Sequence, residues 1–168
     1  MTNSSQRSHP PRKVRSFARR QTRTGTLARR ALSENWPRYG LDMLESQRFD
    51  PVSVFGRVAP LYVEIGFGNG DTLLHLASLQ PECDFLGIEV HRPGLGGVLS
   101  ELARRDIGNV RVVCGDAVEV LSEQISDGTL AGVFILFPDP WPKQRHHKRR
   151  LVNAFFVELV AAKLIDAC

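Results

Sequence analysis

The sequence predicts an α/β fold with a mainly parallel sheet. Short apolar segments alternate along the chain with segments whose apolar residues recur every three or four positions, the pattern of strands joined by helices. The clearest example is residues 61–77, where an apolar segment leads to glycines at 66, 68 and 70 and then to a helical pattern. The 168 residues suffice for one such domain and an additional arm, but not for two sizeable cores.

These patterns predict four strands, with helical segments between them. Because strand and helix alternate, we expect a parallel sheet with right-handed crossovers. A further helix is expected after the fourth strand. The strands are predicted at 61–65, 84–89, 109–114 and 131–137, and the helices at 71–79, around 95–102 and at 117–125.

Positive charge is concentrated at the N-terminus. The net charge is +4, yet residues 1–33 carry nine Lys or Arg and no acidic residue, while the rest of the chain has thirteen basic and eighteen acidic residues. A basic arm on a mildly acidic domain favours a polyanionic partner, with nucleic acid the leading candidate. We therefore divide the chain into a basic, partly disordered arm over 1–45 and a domain over 46–168. Two alternatives for the arm are a solvated basic tail and an organelle transit peptide.

Composition disfavours several classes of protein. No apolar run is long enough to span a membrane, and the N-terminus lacks the apolar centre of a secretory signal. The three cysteines are far apart, which argues against a zinc framework and fits a reducing, cytoplasmic environment. A metal centre built on Asp139, His146 and His147 is disfavoured, because adjacent histidines lack the i, i+4 spacing that places two ligands on one helix face. We expect no metal.

The glycine turn at 66–70 is expected to form a ligand cradle. A strand, a glycine turn and a helix start bring backbone N–H groups close to a ligand with no Cβ in the way. The pattern is Glu64-x-Gly66-x-Gly68-x-Gly70, whose third glycine comes one residue earlier than in the G-x-G-x-x-G of dinucleotide-binding proteins. This acid-led pattern resembles the first motif of the S-adenosylmethionine-dependent methyltransferases with a Rossmann-like fold. The alternative is an ordinary strand-to-helix turn.

Two acidic residues come at the ends of later strands. Glu89 ends the second predicted strand about twenty residues after the glycine turn, where a carboxylate can accept hydrogen bonds from both hydroxyls of a ribose. The alternative is an exposed charge at a strand end. Asp116 follows the third strand and could accept a hydrogen bond from an adenine amino group. It could equally be the N-cap of the helix at 117–125, and the two roles are compatible.

The loop after the fourth strand is expected to face the glycine turn, because ligands of open α/β sheets bind beyond the carboxyl ends of the strands. Its prolines stiffen the backbone around Asp139, a fixed acceptor, and Trp141 offers an aromatic face. Seven of the eight residues at 143–150 are Lys, Arg or His, which predicts a phosphate-binding rim. A solvated charge run is the alternative, but it does not explain the Pro-Asp-Pro-Trp-Pro sequence at 138–142.

Taken together, these segments resemble the bacterial tRNA (guanine-N7)-methyltransferase family. The resemblance covers roughly residues 13–165 and includes the arm, which weakens the transit-peptide alternative. The matching segments are Arg15-Ser16-Phe17 and Asn35-Trp36-Pro37 in the arm, residues 63–70, 85–91 and 115–119, and Phe137-Pro138-Asp139-Pro140-Trp141-Pro142-Lys143 with the basic residues up to 150.

The resemblance implies a Rossmann-like methyltransferase fold and transfer of a methyl group from S-adenosyl-L-methionine to N7 of guanosine 46 in the tRNA variable loop. The implied partner is tRNA, with no membrane involved. Asp139 is implied to lie close to the target base as the catalytic residue, besides contacting the cofactor. The other cofactor residues are Glu64, Gly66, Gly68, Gly70, Glu89 and Asp116, and the substrate contacts are Lys143, with Arg145, Lys148, Arg149 and Arg150 of the basic loop.

The chain ends soon after the fourth predicted strand, whereas the resemblance implies further strands and further substrate-binding residues. We therefore expect the fourth strand to present an unpaired apolar edge and the fold to be incomplete on its C-terminal side. The alternative function is accordingly a catalytically incomplete S-adenosylmethionine- or tRNA-binding fragment. An NAD-dependent oxidoreductase is disfavoured by the glycine spacing, and a small-molecule methyltransferase by the basic arm and loop.

Overall fold

The computed structural model describes residues 25–42, 48–136, 138–139 and 141–165. Among the helices of this part, none has the length and apolar character needed to cross a membrane. The strands are β1 (Gly40–Leu41), β2 (Leu61–Ile65), β3 (Asp84–Glu89), β4 (Val110–Cys114) and β5 (Gly132–Ile135). The helices are α1 (Thr26–Tyr39), α2 (Pro51–Phe55), α3 (Asp71–Leu79), α4 (Arg92–Arg104), α5 (Ala117–Glu119) and α6 (Ala154–Lys163), with a π-helical turn (Val120–Gln124) and a 3₁₀ helix (Gln144–Arg149).

The predicted α/β fold with a parallel sheet is confirmed. The strand order is β1-β4-β3-β2-β5, and every strand pair is parallel. β2, β3 and α3 have the predicted bounds. β4 begins one residue later than predicted, and β5 is shorter than predicted, beginning at Gly132 and ending at Ile135. The predicted helix at 117–125 is a single turn, α5, that continues into the π-helical turn. Because β2 lies between β3 and β5, Glu64 is placed beside Gly87 on one side and Phe134 on the other.

Two apolar layers enclose the sheet. On one face, α1, α3 and α4 cover the strands and bury Leu73 and Leu99 against Phe85. On the other face, the π-helical turn and α6 bury Leu121 and Phe156. Each such side chain contributes roughly 1.5–3 kcal/mol through removal from water. Strands that are covered on both faces have apolar residues at nearly every position, which is why apolar and polar residues do not alternate in these segments of the sequence.

The described part of the predicted arm packs against the domain. Helix α1 lies along α4, and Tyr39 is fully buried, with its hydroxyl donating a hydrogen bond to the Leu102 carbonyl oxygen at 3.2 Å. Strand β1, which the sequence patterns did not predict, then pairs with β4. The predicted boundary between residues 45 and 46 lies outside the described residues, as do residues 1–24. Residues 26–41 are therefore integral to the sheet and its helical cover.

The outer strand on the side of the predicted open edge is β5. In the described part of the chain it pairs only with β2, as expected for the fourth predicted strand. The Phe134 ring stacks on Tyr62 at 5.8 Å between centroids. Leu136, which directly follows β5, is an apolar residue that is 40% exposed. Among the described residues, β5 therefore forms this edge of the sheet.

The close approach of α1 to α4 provides a test of this packing. A Cβ on Gly96 would lie 2.6 Å from the Ala28 carbonyl oxygen, whereas one on Gly97 would meet nothing within 4 Å. We expect Gly96→Ala to lower the free energy of unfolding by about 1–3 kcal/mol, because α1 must shift to admit the methyl group. Gly97→Ala is the matched control and should raise it by up to about 1 kcal/mol, since Ala favours a helix. Urea unfolding measures both, and equal stabilisation by the two substitutions would contradict this packing.

Candidate functional site

A cleft lies at the carboxyl ends of the parallel strands, where open α/β sheets bind their ligands. The space within it is about 730 Å³, a figure that includes space open to solvent. β2, β3, β4 and β5 each contribute residues at or just beyond their ends. The lining includes Gly66, Glu89, Gly115 and Asp139, together with an apolar wall of Ile65, Ile88, Ile135, Leu136 and Leu151.

The glycine turn between β2 and α3 forms one side of this cleft. Gly66, Gly68 and Gly70 have positive φ angles of 71°, 55° and 77°, which residues with a Cβ rarely adopt. A Cβ on Gly66 or Gly68 would meet nothing within 4 Å, so the backbone there borders open space. A Cβ on Gly70 would instead lie 2.5 Å from Cγ2 of Val98 on α4. The turn therefore offers bare backbone to a ligand at two positions and needs its third glycine for packing.

Glu89 joins the glycine turn to the end of β3. Its Oε2 accepts a hydrogen bond from the Gly68 N–H at 3.1 Å, and its Oε1 accepts one from the His91 N–H at 2.9 Å. The residue is only 8% exposed, so the alternative of an exposed strand-end charge is wrong. Since a carboxylate has about four acceptor positions, both oxygens can accept a further hydrogen bond from a ligand in the cleft.

Glu64 is a buried carboxyl with an unsatisfied oxygen. The residue is 4% exposed, and among the described residues its Oε2 has no hydrogen-bond partner. Burial raises the pKa of Glu64 from 4.5 to about 7. Glu64 does not itself line the cleft, but the next two residues, Ile65 and Gly66, do. A buried acid with an open acceptor beside a cleft is suited to a cationic group of a ligand.

Asp116 caps the helix that follows β4. Its Oδ1 accepts a hydrogen bond from the Val118 N–H at 2.8 Å, which confirms the N-cap role. The residues on either side, Gly115 and Ala117, line the cleft. The backbone of this turn thus borders the site, while a contact from the Asp116 side chain to an adenine amino group stays a prediction.

The loop after β5 brings both an acid and a basic segment to the cleft. Asp139 lines the cleft, while Phe137 and Pro140 lie outside the described residues. Leu151, which follows the basic run, lines the same cleft. The basic run therefore ends beside the cleft, where it can contact phosphates of a ligand too large for the cleft. The five basic residues predicted to contact substrate are all exposed: Lys143, Arg145, Lys148, Arg149 and Arg150.

Sequence reasoning assigned polar residues and glycines to the site and missed its apolar wall. Ile88 and Ile135 lie near the carboxyl ends of β3 and β5, and that position was the available signal. Leu151 carried no such signal, because its contact depends on how the loop returns to the cleft. Over the described ranges, no three His, Cys, Asp or Glu side chains are arranged to hold a metal ion.

Comparison with known proteins identifies the family. A family model described as a putative methyltransferase matches residues 58–167. The tRNA (guanine-N(7)-)-methyltransferase of Methylococcus capsulatus is 52% identical over 164 residues, covering 98% of this chain and 70% of that protein. This chain belongs to the tRNA (guanine-N(7)-)-methyltransferase family. The family member from Alkalilimnicola ehrlichii is 54% identical over 154 residues, covering 91% of this chain and 65% of that protein.

Solved structures share the methyltransferase fold of this family. An antibiotic-related methyltransferase matches with a TM-score of 0.53 at 18% identity, covering 74% of this chain and 61% of that one. The 30S ribosomal A1408 methyltransferase from an uncultured bacterium matches with a TM-score of 0.50 at 17% identity, covering 76% of this chain and 60% of that one. At such identities the likeness establishes the fold alone. The chain spans 60–70% of the length of the curated family relatives it matches.

The buried carboxyl of Glu64 predicts a pH-dependent stability. The folded protein holds this proton up to a pKa of about 7, whereas the unfolded chain releases it at the ordinary value of 4.5. The folded state therefore binds more protons between these values, and the Glu64 contribution to the free energy of unfolding falls as pH rises through them. Glu64→Gln removes this contribution. Between pH 5 and pH 8 we expect the variant to gain about 2 kcal/mol of stability relative to the wild type.

Chemical unfolding at the two pH values measures this difference. Glu158→Gln, at an exposed position on α6, is the matched control and should follow the wild type. An identical pH dependence in the wild type and Glu64→Gln would show that Glu64 is ionised in the folded protein throughout this range.

Proposed function

We propose that this chain is an S-adenosyl-L-methionine-dependent tRNA (guanine-N7-)-methyltransferase that methylates guanosine 46 in the tRNA variable loop. The observation that carries the proposal is the cleft where the glycine turn, Glu89 and Asp139 meet, bordered by an exposed basic segment. Identity at about half of the aligned positions with enzymes of that name supports the same assignment. We propose the cytoplasm as its location, since its substrate is tRNA.

The residues around the cleft fit S-adenosyl-L-methionine. Both oxygens of Glu89 can accept hydrogen bonds from ribose hydroxyls. The turn around Asp116 borders the cleft, where it can contact the edge of an adenine ring. The buried Oε2 of Glu64, which has no hydrogen-bond partner in the described part of the chain, fits the cationic amino group of the methionine part. The space beside Gly66 and Gly68, which a Cβ would otherwise fill, is open to the cofactor. When bound, the cofactor supplies a methyl group activated by attachment to a sulfonium.

Transfer to guanine N7 demands alignment more than acid–base chemistry. N7 has an in-plane lone pair and carries no proton, so no general base is required. The protein must hold N7 in line with the methyl carbon and the sulfur, an effect that can be worth about 7–11 kcal/mol. Positive charge passes to the guanine ring during transfer, and we assign its stabilisation to the carboxylate of Asp139 in the cleft.

The basic segment at 143–150 supplies the electrostatic contact to tRNA in this proposal. Its exposed Lys and Arg side chains start four residues after Asp139, so phosphates bound there lie close to the reacting base. N7 faces the major groove, which is deep and narrow in an RNA helix. The target base must therefore be accessible in a loop or turned out of its stack.

A second candidate function is binding of the cofactor or tRNA without catalysis. One observation favours it: the chain spans 60–70% of the length of its relatives, so part of their sequence has no counterpart here. Under this hypothesis the cleft binds the cofactor, but methyl transfer requires residues beyond the 168 present here.

Transfer of labelled methyl to an unmodified tRNA transcript distinguishes the two candidates. The protein is incubated with labelled S-adenosyl-L-methionine, and the nucleosides of the tRNA are then separated. The proposal expects label in N7-methylguanosine. Label in a different nucleoside would contradict it, and no label from protein that is folded and binds cofactor would favour binding alone.

Asp139→Asn tests the electrostatic role. The amide keeps the shape of the side chain but removes its negative charge, so we expect the single-turnover rate to fall about 10- to 100-fold. Cofactor affinity, measured separately by calorimetry, should change by less than about tenfold. Glu158→Gln removes an exposed carboxylate from α6 and should leave the rate unchanged. A full rate in Asp139→Asn with intact cofactor binding would refute this role.

Glu89→Gln tests the cofactor site. An amide cannot accept hydrogen bonds at both of its polar atoms, so it must oppose the N–H of either Gly68 or His91 with a donor of its own. We expect affinity for S-adenosyl-L-methionine to fall about 10- to 100-fold by titration calorimetry. Glu101→Gln, on α4 beside Arg104 and Arg105, is the control and should bind as the wild type does. Unchanged affinity in a folded Glu89→Gln protein would place the cofactor elsewhere.

A further inference from the structure

Trp141 contacts the basic 3₁₀ helix Gln144–Arg149 at two points. Its ring meets that of His146 edge to face, with centroids 5.5 Å apart and an angle of 87° between the planes. The guanidinium carbon of Arg149 lies 5.1 Å from the Trp141 ring centroid, a cation–π contact. His146 and Arg149 are three residues apart, one turn of a 3₁₀ helix, so the indole contacts a single side of that helix.

His146 extends this contact to a second arginine. Arg145 Nε donates a hydrogen bond to His146 Nε2 at 3.3 Å, which requires that this nitrogen carry no proton. Burial, and then the charges of Arg149, Arg145 and Lys143, lower the pKa of His146 and so favour the neutral ring. Arg149 is therefore held by Trp141 directly, and Arg145 is held by it through His146.

The backbone of Trp141 is in a costly conformation. Its φ angle is 38°, a left-handed value that bulky residues rarely adopt and that persists where surrounding contacts hold it. The contacts with His146 and Arg149 are among those that hold it. Asp139 lies two residues before Trp141, and Leu151 two residues after Arg149, and both line the cleft. The basic helix therefore lies in the sequence between two residues that line the cleft, and Trp141 packs against it.

We propose that Trp141 is a positioning residue for tRNA binding, which holds Arg145 and Arg149 in place for contact with phosphates at the rim of the cleft. The nature of the nucleic acid rests on the proposed function. Guanidinium groups that are already held lose less conformational freedom when they bind phosphate than free ones do. Removing the indole should therefore weaken tRNA binding through these two arginines and leave cofactor binding unchanged.

The salt dependence of tRNA binding tests this role. We expect Trp141→Leu to weaken binding of an unmodified tRNA transcript about 5- to 50-fold at physiological ionic strength. The logarithm of the binding constant falls with the logarithm of salt concentration. This negative slope should become shallower by about 1–2 in Trp141→Leu, because up to two phosphate contacts are lost. Trp141→Phe keeps an aromatic face and should stay within about threefold of the wild type. Unchanged affinity for S-adenosyl-L-methionine shows that each variant is folded.

Double variants separate positioning from a general loosening of the loop. Arg149→Ala added to Trp141→Leu should cost little beyond the larger single effect, because Trp141→Leu already releases Arg149. Lys148→Ala, on the same helix but outside the Trp141 contacts described above, should add its full effect instead. His146→Ala leaves position 141 intact and should reduce the slope by about 1, through Arg145 alone. This variant carries the test if Trp141→Leu does not fold.

Several results would overturn the proposal. One is an unchanged salt slope in folded Trp141→Leu and His146→Ala proteins. Equal losses in Trp141→Phe and Trp141→Leu would also do so, since the indole itself would then contact the RNA. Where methyl transfer is measurable, a raised KM for tRNA with kcat within about twofold supports positioning, whereas a fall in kcat alone contradicts it.

The test also separates this proposal from the catalytic one. Wild-type protein that binds tRNA but transfers no methyl group would refute the catalytic assignment, and the salt slopes of the variants would still decide the role of Trp141. Absence of tRNA binding by the wild type would refute both.

Discussion

The site depends on one carboxylate that joins two backbone turns. Glu89 accepts hydrogen bonds from Gly68 after β2 and from His91 after β3, and so fixes the two turns relative to each other. The parallel pairing of β2 with β3 makes this possible, because it places the two strand ends side by side. A glycine turn loses much conformational freedom on folding, and hydrogen bonds to a charged acceptor offset part of that loss. The remaining acceptor positions of the same carboxylate are then available to a ligand.

The charges around the cleft divide it into two environments. Glu64 and Glu89 are buried acids at or beside the cleft, which suits a small ligand with a cationic group and ribose hydroxyls. The exposed segment at 143–150 is strongly basic, which suits a polyanion. Glu64, on the strand between β3 and β5, has a buried oxygen without a hydrogen-bond partner among the described residues. Such an oxygen destabilises the fold unless a ligand completes its hydrogen bonding. Asp139 lies where the two environments meet.

Local patterns predicted the strands of the cleft better than the elements that depend on distant contacts. β2, β3 and α3 were predicted with their observed bounds, because their patterns are set off by prolines and glycines. β1 was not predicted, since two residues become a strand only by pairing with β4. The cap at Asp116 could be foreseen because it is a local interaction. The contacts of Trp141 could not, because they depend on how its loop folds back over the basic helix.

Hydrogen exchange at the backbone amides of Gly68 and His91 tests the central role of Glu89 most directly. Both amides donate to this carboxylate, so a ligand bound through it should stabilise both hydrogen bonds. Saturating S-adenosyl-L-methionine is expected to slow exchange at these two amides in the wild-type protein. Unaltered exchange at both amides, in protein shown by calorimetry to be saturated, would contradict the placement of the cofactor in this cleft.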